Sequence, residues 1–185
     1  QLGQVSVPDE RLTKLAEIVK PGRIVPAVCD IVDIAGLVKG ASKGEGLGNQ
    51  FLANIRECDA IIHVLRCFDD SGIVHVDGSV DPVRDKEIID MELQLKDLET
   101  LENRAKRVEK AARVGGDKAA KIEMDVIDTY RKVLLEGKSA RTVTFDTEDE
   151  MSAAKSLFLL TAKPVLYVCN VDDKSASTGN EHTAR

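Results

Sequence analysis

Residues 32–68 read VDIAGLVKGASKGEGLGNQFLANIRECDAIIHVLRCF, and this stretch decides the fold. Asp33 leaves an apolar run, and Gly36 stands three residues on. Gly40, Gly44, Gly46 and Gly48 follow, a density of glycine that lets the backbone take two conformations at little cost. Residues 47–57, LGNQFLANIRE, set Leu47, Phe51, Leu52 and Ile55 on one face of a helix. From Ala60, AIIHVLRCF is a continuous apolar run with the length of a fully buried parallel strand.

The flanks continue the pattern. Residues 2–7 and 24–33 read as strands, and RLTKLAEIVKP between them has the apolar spacing of a helix closed by Pro21-Gly22. Towards the C-terminus, Thr147-x-x-Glu150 is a capping box that opens a helix through MSAAKSLFLLTA, with Pro164 as its stop. VLYVCN then reads as another buried strand. Alternating strands and helices predict an α/β fold with a parallel sheet covered on both faces.

The middle of the chain differs. Asp81-Pro82 supplies an N-cap and a first-turn proline, and Met91, Leu95, Leu98, Ala105, Val108 and Ala112 recur at helical steps. Gly115-Gly116 breaks the pattern, Asp117 caps a second helix, and Ile122, Val126, Tyr130 and Val133 mark its apolar face. The expected arrangement is an antiparallel helical hairpin over 82–141, inserted between sheet segments 1–81 and 142–185.

Composition sets limits. The chain has 185 residues, 43% hydrophobic and 31% charged, which excludes a wholly disordered polymer. Aromatic residues make up 3% and tryptophan is absent, which argues against a base-stacking platform. A net charge of −6 excludes a uniformly basic nucleic-acid coat but leaves room for a local patch. Cys29, Cys67 and Cys169 lie in apolar runs and are expected to be small buried hydrophobes, with Cys58 outside them. No Cys-x-x-Cys pair, signal peptide or membrane-length apolar run is present, so the expected setting is reducing cytosol. A start at Gln1 and an end at Arg185, just past a strand, suggest a segment of a longer chain.

Two constellations carry chemistry. An Asp at the carboxyl end of a strand can hold Mg²⁺ through water, and a Gly three residues on lets a backbone N–H approach a γ-phosphate; Asp33 and Gly36 have that spacing. Asn170-Val171-Asp172-Asp173 follows the last strand, where nucleotide switches read the base through Asn and an Asp three residues later. Val171 replaces the Lys of the guanine-specific form, so strict guanine specificity is not expected. Either pattern alone is ordinary turn chemistry, but both in order after apolar strands are far more specific.

With these residues in place, the chain resembles the YchF-type Obg-like ATPases of the translation-factor GTPase class, from Val5-x-Val7-Pro8-Asp9 through Asn170 and including the hairpin. The sister Obg group typically has Pro where this chain has Ala35, and lacks the hairpin between these strands. The resemblance implies a Ras-like P-loop NTPase domain with an inserted α-helical coiled-coil hairpin, Mg²⁺ as cofactor, and hydrolysis of ATP or GTP coupled to ribosomes. Leu37 stands where Ras-like enzymes carry a water-orienting Gln, and the family's replacement is a loop His, which lands on His75 in GIVHVDG. A His can orient a water or act as a base near neutral pH. The family's Asn-x-x-Glu goes with ATP, whereas Asp173 here leaves both ATP and GTP open. His63 is expected to be a core residue, and His182 has no assigned role.

The resemblance also exposes departures. The family's Gly-x-x-x-x-Gly-Lys-Ser phosphate loop and its C-terminal TGS domain are absent from these 185 residues, so the chain by itself is expected to bind nucleotide poorly. Near the Gly-Gly turn, Arg104, Lys106, Arg107, Lys110 and Arg113 face only Glu109 along their own helix. Such a run is either a solvated helix face or a contact for ribosomal RNA phosphates. Two rivals stay open: an Obg-like GTPase in ribosome assembly, and a non-catalytic ribosome- or RNA-binding scaffold that uses only the hairpin.

Overall fold

The computed structural model describes residues 2–34, 48–75, 78–114 and 116–185. Two compact units emerge, Gln1–Gly36 and Leu37–Arg185. In the smaller unit, β1 (Leu2–Ser6), α1 (Glu10–Val19) and β2 (Val28–Val32) follow one another. Asp9 caps α1 by accepting the Arg11 amide at 2.9 Å. β2 is shorter than the strand expected over 24–33, because Pro26 has no N–H to give a ladder. β1 and β2 pair antiparallel, from Leu2↔Val32 to Ser6↔Val28, which corrects the expectation of a wholly parallel sheet. Both strands are exposed along their length within this unit.

The larger unit contains α2 (Gly48–Glu57), β3 (Ile61–Arg66), α3 (Pro82–Val114), α4 (Lys118–Leu135), α5 (Glu148–Ser156) and β4 (Val165–Asn170). β3 and β4 pair in parallel, from Ile61↔Val165 to Arg66↔Asn170, as their apolar runs predict. Burial on both faces is not found: Ile62, Val64, Leu166 and Val168 remain exposed. On the other face, the rings of His63 and Tyr167 lie 5.6 Å apart, and Lys86 of α3 sits over Tyr167 at 5.3 Å. Burial holds the His63 pKa below its ordinary value, in keeping with a core histidine.

The hairpin forms as the sequence predicts. Asp81 accepts the Arg84 amide at the start of α3, and Asp117 accepts the amides of Ala119 and Ala120 at the start of α4. Leu101 meets Val126, Ile127, Tyr130 and Leu134 in one apolar cluster that also takes in Leu157 and Leu159. Nearer the tip, Val108 and Ala112 pack against Ala120. Met91 and Leu95, expected on the seam, are exposed; Leu93 and Leu101 are buried instead. The base of α3 packs against β3 and the 160–162 turn, which turns a different stripe inward than a free hairpin would bury.

A further correction concerns α5, which ends at Ser156, well short of Pro164. Phe158 adopts a left-handed conformation with φ 50°, and the chain re-forms as a short 3₁₀ turn over Leu160–Ala162. The competitor is Asp97 of α3. Its fully buried carboxylate accepts the amides of Leu160 at 2.7 Å and Thr161 at 2.8 Å, and the Thr161 hydroxyl at 2.7 Å. Amides satisfied by that carboxylate no longer need helical partners. Of the cysteines expected to be buried, only Cys67 is, and burial pushes its thiol up to about 11; Cys29 and Cys169 are exposed.

Asp97→Ala should lower unfolding stability by about 3 kcal/mol in urea titration, since buried donors left without an acceptor cost roughly 1–3 kcal/mol each. Burial raises the Asp97 pKa above its ordinary 3.8 despite the opposing hydrogen bonds from Thr161 and Leu160. The fold therefore binds this proton more tightly than the unfolded chain does. The stability gap between wild type and Asp97→Ala should be widest below the ordinary value and narrow as pH rises through the folded one. A gap that widens with rising pH would contradict this.

Candidate functional site

β4 delivers Asn170 to its carboxyl end, where ligands bind in open α/β sheets. The Asn170 backbone carbonyl accepts the Cys67 amide at 2.8 Å, which fixes the end of β4 against the end of β3. The next turn separates the two acids that follow. Asp172 caps a 3₁₀ turn over Asp173–Ser175, accepting the Ser175 amide at 3.0 Å, and this bonding holds its carboxyl below the ordinary range. Asp173 is exposed and its carboxylate makes no hydrogen bond among the described residues. The Asn170 side-chain amide is likewise unengaged there. Val171 lies between them, half-buried.

Polar residues that sequence reading passed over build the rim of this end. Asn180 donates from Nδ2 to the Cys67 carbonyl at 2.7 Å, while its Oδ1 accepts the amides of His182 and Thr183. His182, given no role from sequence, pairs through Nε2 with Asp69 at 3.0 Å, and Arg185 reaches Asp81 at 3.3 Å. These bonds span more than 100 residues of chain, so no local pattern announces them. The Gly179-Asn180 pair, with Gly179 at φ 73°, is the one turn signal that could have been read.

His75 lies in the loop before α3, largely buried. Its Nε2 is 2.9 Å from Asp85 Oδ2, a carboxylate that also binds Arg84. A carboxylate on one ring nitrogen holds the orientation of the ring. The partner sits in the first turn of α3, ten residues away in sequence.

Asp33 follows β2 in the smaller unit and is exposed. Gly36, Leu37 and the glycine-rich segment through Leu47 lie outside the described residues, as does Gly115. Among the described residues no group of three or more His, Cys, Asp or Glu could hold a metal by itself. A single carboxylate suits Mg²⁺, which keeps several waters and takes its remaining oxygens from a nucleotide's phosphates.

On the arm, the five basic residues do not form one uniform patch. Arg104 is bonded to Glu123 of α4, an acid on the facing helix that reading along α3 alone leaves out. Arg113 pairs with Glu109 at 3.0 Å. Lys106, Arg107 and Lys110 are exposed and without partners among the described residues.

The model of the 50S ribosome-binding GTPase family matches residues 11–108, more than half the chain. The chain belongs to this family, in its YchF-type Obg-like branch. It is 50% identical to the ribosome-binding ATPase YchF of Bacillus subtilis, over 100% of this chain and 50% of that protein. Obg-like ATPase 1 of Saccharomyces cerevisiae is 46% identical, over 98% of this chain and 48% of that one. The structure of the Schizosaccharomyces pombe YchF GTPase superposes with a TM-score of 0.79 at 41% identity, over 99% of this chain and 50% of that one. This YchF-type chain thus spans about half the length of the relatives it matches. Its fold is that of a P-loop NTPase domain carrying an inserted helical hairpin. Among the described residues no helix is long and apolar enough to cross a membrane.

Proposed function

We propose that this chain forms the base-reading end and the arm of a cytoplasmic, Mg²⁺-dependent nucleotide switch that hydrolyses ATP and works on the ribosome. The observation that carries the reading is the turn after β4. Asp172 is consumed as a cap, while among the described residues Asn170 and Asp173 leave their side chains open at the carboxyl end of a parallel strand. An open Asn amide and carboxylate there can meet the edge of a purine. Asp33 and Gly36 are assigned to Mg²⁺ and the γ-phosphate, and Val171 to the base pocket. When bound, the ion neutralises charge on the phosphates. His75, held by Asp85, is assigned to orient the attacking water, in place of the Gln whose position Leu37 occupies. The relatives' names, ribosome-binding ATPase and Obg-like ATPase, support nucleotide hydrolysis and a ribosomal partner. Lys106, Arg107 and Lys110 are the arm's open cations for RNA phosphates, with Arg104 and Arg113 beside them.

The 185 residues by themselves carry no Gly-x-x-x-x-Gly-Lys-Ser loop, so isolated they should hold nucleotide weakly; micromolar affinity in a titration would overturn that. A second reading, a GTPase, draws on Asp173, whose shorter side chain matches the guanine-reading acid. In the protein as its gene encodes it, Asp173→Glu should raise the ratio of ATP to GTP affinity several-fold. A ratio that does not move would separate Asp173 from base reading. His75→Ala should lower kcat for hydrolysis about 100-fold while nucleotide affinity stays within a factor of about two. Unchanged kcat would remove His75 from the chemistry.

A further inference from the structure

A cavity of about 310 Å³ opens at the foot of the arm, where the end of α2, one face of α3 and the end of α5 converge. Lys96, Thr100, Asn103 and Arg107 line it at steps of four, three and four along α3, so they form a single stripe. At 1.5 Å per residue the stripe runs about 16 Å, room for several consecutive phosphates. Arg56 enters from the last turn of α2, its guanidinium held towards the stripe by a 3.2 Å bond to the Thr100 hydroxyl. Arg104 also reaches the wall but is committed to Glu123. Among the described residues the one acid of the lining is Glu99, which holds Lys96 at 2.8 Å. Arg107 has no partner among the described residues.

We propose that this groove seats the sugar–phosphate backbone of RNA, with Arg56, Lys96 and Arg107 as the phosphate-binding cations and Asn103 as a neutral donor. The proposal rests on the ribosome-associated reading above, but moves the principal contact from Lys106 and Lys110 to the stripe that runs from Lys96 to Arg107, and adds Arg56, which lies outside the arm. The lining chemistry favours a phosphodiester over an acidic peptide. Among the described residues no aromatic side chain lines the groove, and its apolar member, Leu157, is already buried in the core. Protein partners bind chiefly through buried apolar and aromatic anchors, whereas a phosphate backbone needs only spaced cations. The same lack of rings makes the contact indifferent to base sequence. Glu99 acts as a built-in competitor: an arriving phosphate displaces it from Lys96.

The test uses the protein as its gene encodes it and a short oligouridylate, with affinity measured across a salt series. Arg56→Gln/Lys96→Gln/Arg107→Gln should make the log–log salt slope shallower by about 2, at roughly 0.7 per phosphate contact on a single strand. Glu99→Gln should act the other way and tighten binding several-fold, an outcome no merely structural role for the pair would give. If wild type binds RNA and the triple variant keeps its slope, the groove is overturned while the ribosome-associated reading stands. Loss confined to Lys106→Gln/Lys110→Gln would overturn it too, by placing the contact on the arm's other stripe. Polyglutamate competing as well as RNA would make the occupant an acidic peptide, and failure of wild type to bind RNA or ribosomes would sink both proposals.

Discussion

A buried carboxylate joins the arm to the sheet. Asp97 sits inside α3 with no exposure and spends its acceptor capacity on the amides of Leu160 and Thr161 and the Thr161 hydroxyl. Burying an unpaired charge would be prohibitive, so the position is tolerable only while all three donors are present. The bond set therefore fixes the chain leading into β4 against the base of the arm. The Thr161 hydroxyl in turn accepts the Ala140 amide, which brings in the segment returning from α4. Lys163 extends the tie to α2, donating to the carbonyls of Arg56 and Cys58.

This knot gives the larger unit its functional geometry. β4 leaves it and ends at Asn170, with Asp173 in the turn beyond; α3 leaves it and ends at the arm's tip. The groove lined by Arg56, Lys96 and Arg107 lies beside it. α2 begins directly after the glycine-rich segment, so a change there has a short path through Arg56 to Thr100 on the arm. Communication by this path needs two arrangements of α2, not a continuous deformation, because packed elements shift between discrete states.

Much of this architecture is legible in the sequence because its signals are local. Helix starts follow from single side chains: Asp81, Asp117 and Thr147 each cap the helix that their position announces. The parallel pairing of β3 and β4 follows from two apolar runs with a long insertion between them. What could not be read is what depends on distant groups. Asp97 looks like a surface residue in an amphipathic pattern, and only the donors 63 and 64 residues away explain its burial and the early end of α5. Met91 and Leu95 belong inward on a hairpin considered alone, yet a third surface, the sheet and the 160–162 turn, sets the buried stripe. The candidate site divides the same way. Asn170 and Asp173 are visible from spacing, while their rim of Asn180 and His182 and the Glu123 against Arg104 are contacts between segments far apart or on facing helices, and Asp85 meets His75 only through the fold of the loop before α3.

If nucleotide state and arm are parts of one switch, the ribosome must distinguish the two states. Co-sedimentation of the gene-encoded protein with ribosomes, with a non-hydrolysable ATP analogue in one series and ADP in the other, measures this directly. Dissociation constants that differ at least several-fold between the two nucleotides are expected. Equal constants, with both nucleotides demonstrably bound, would contradict it.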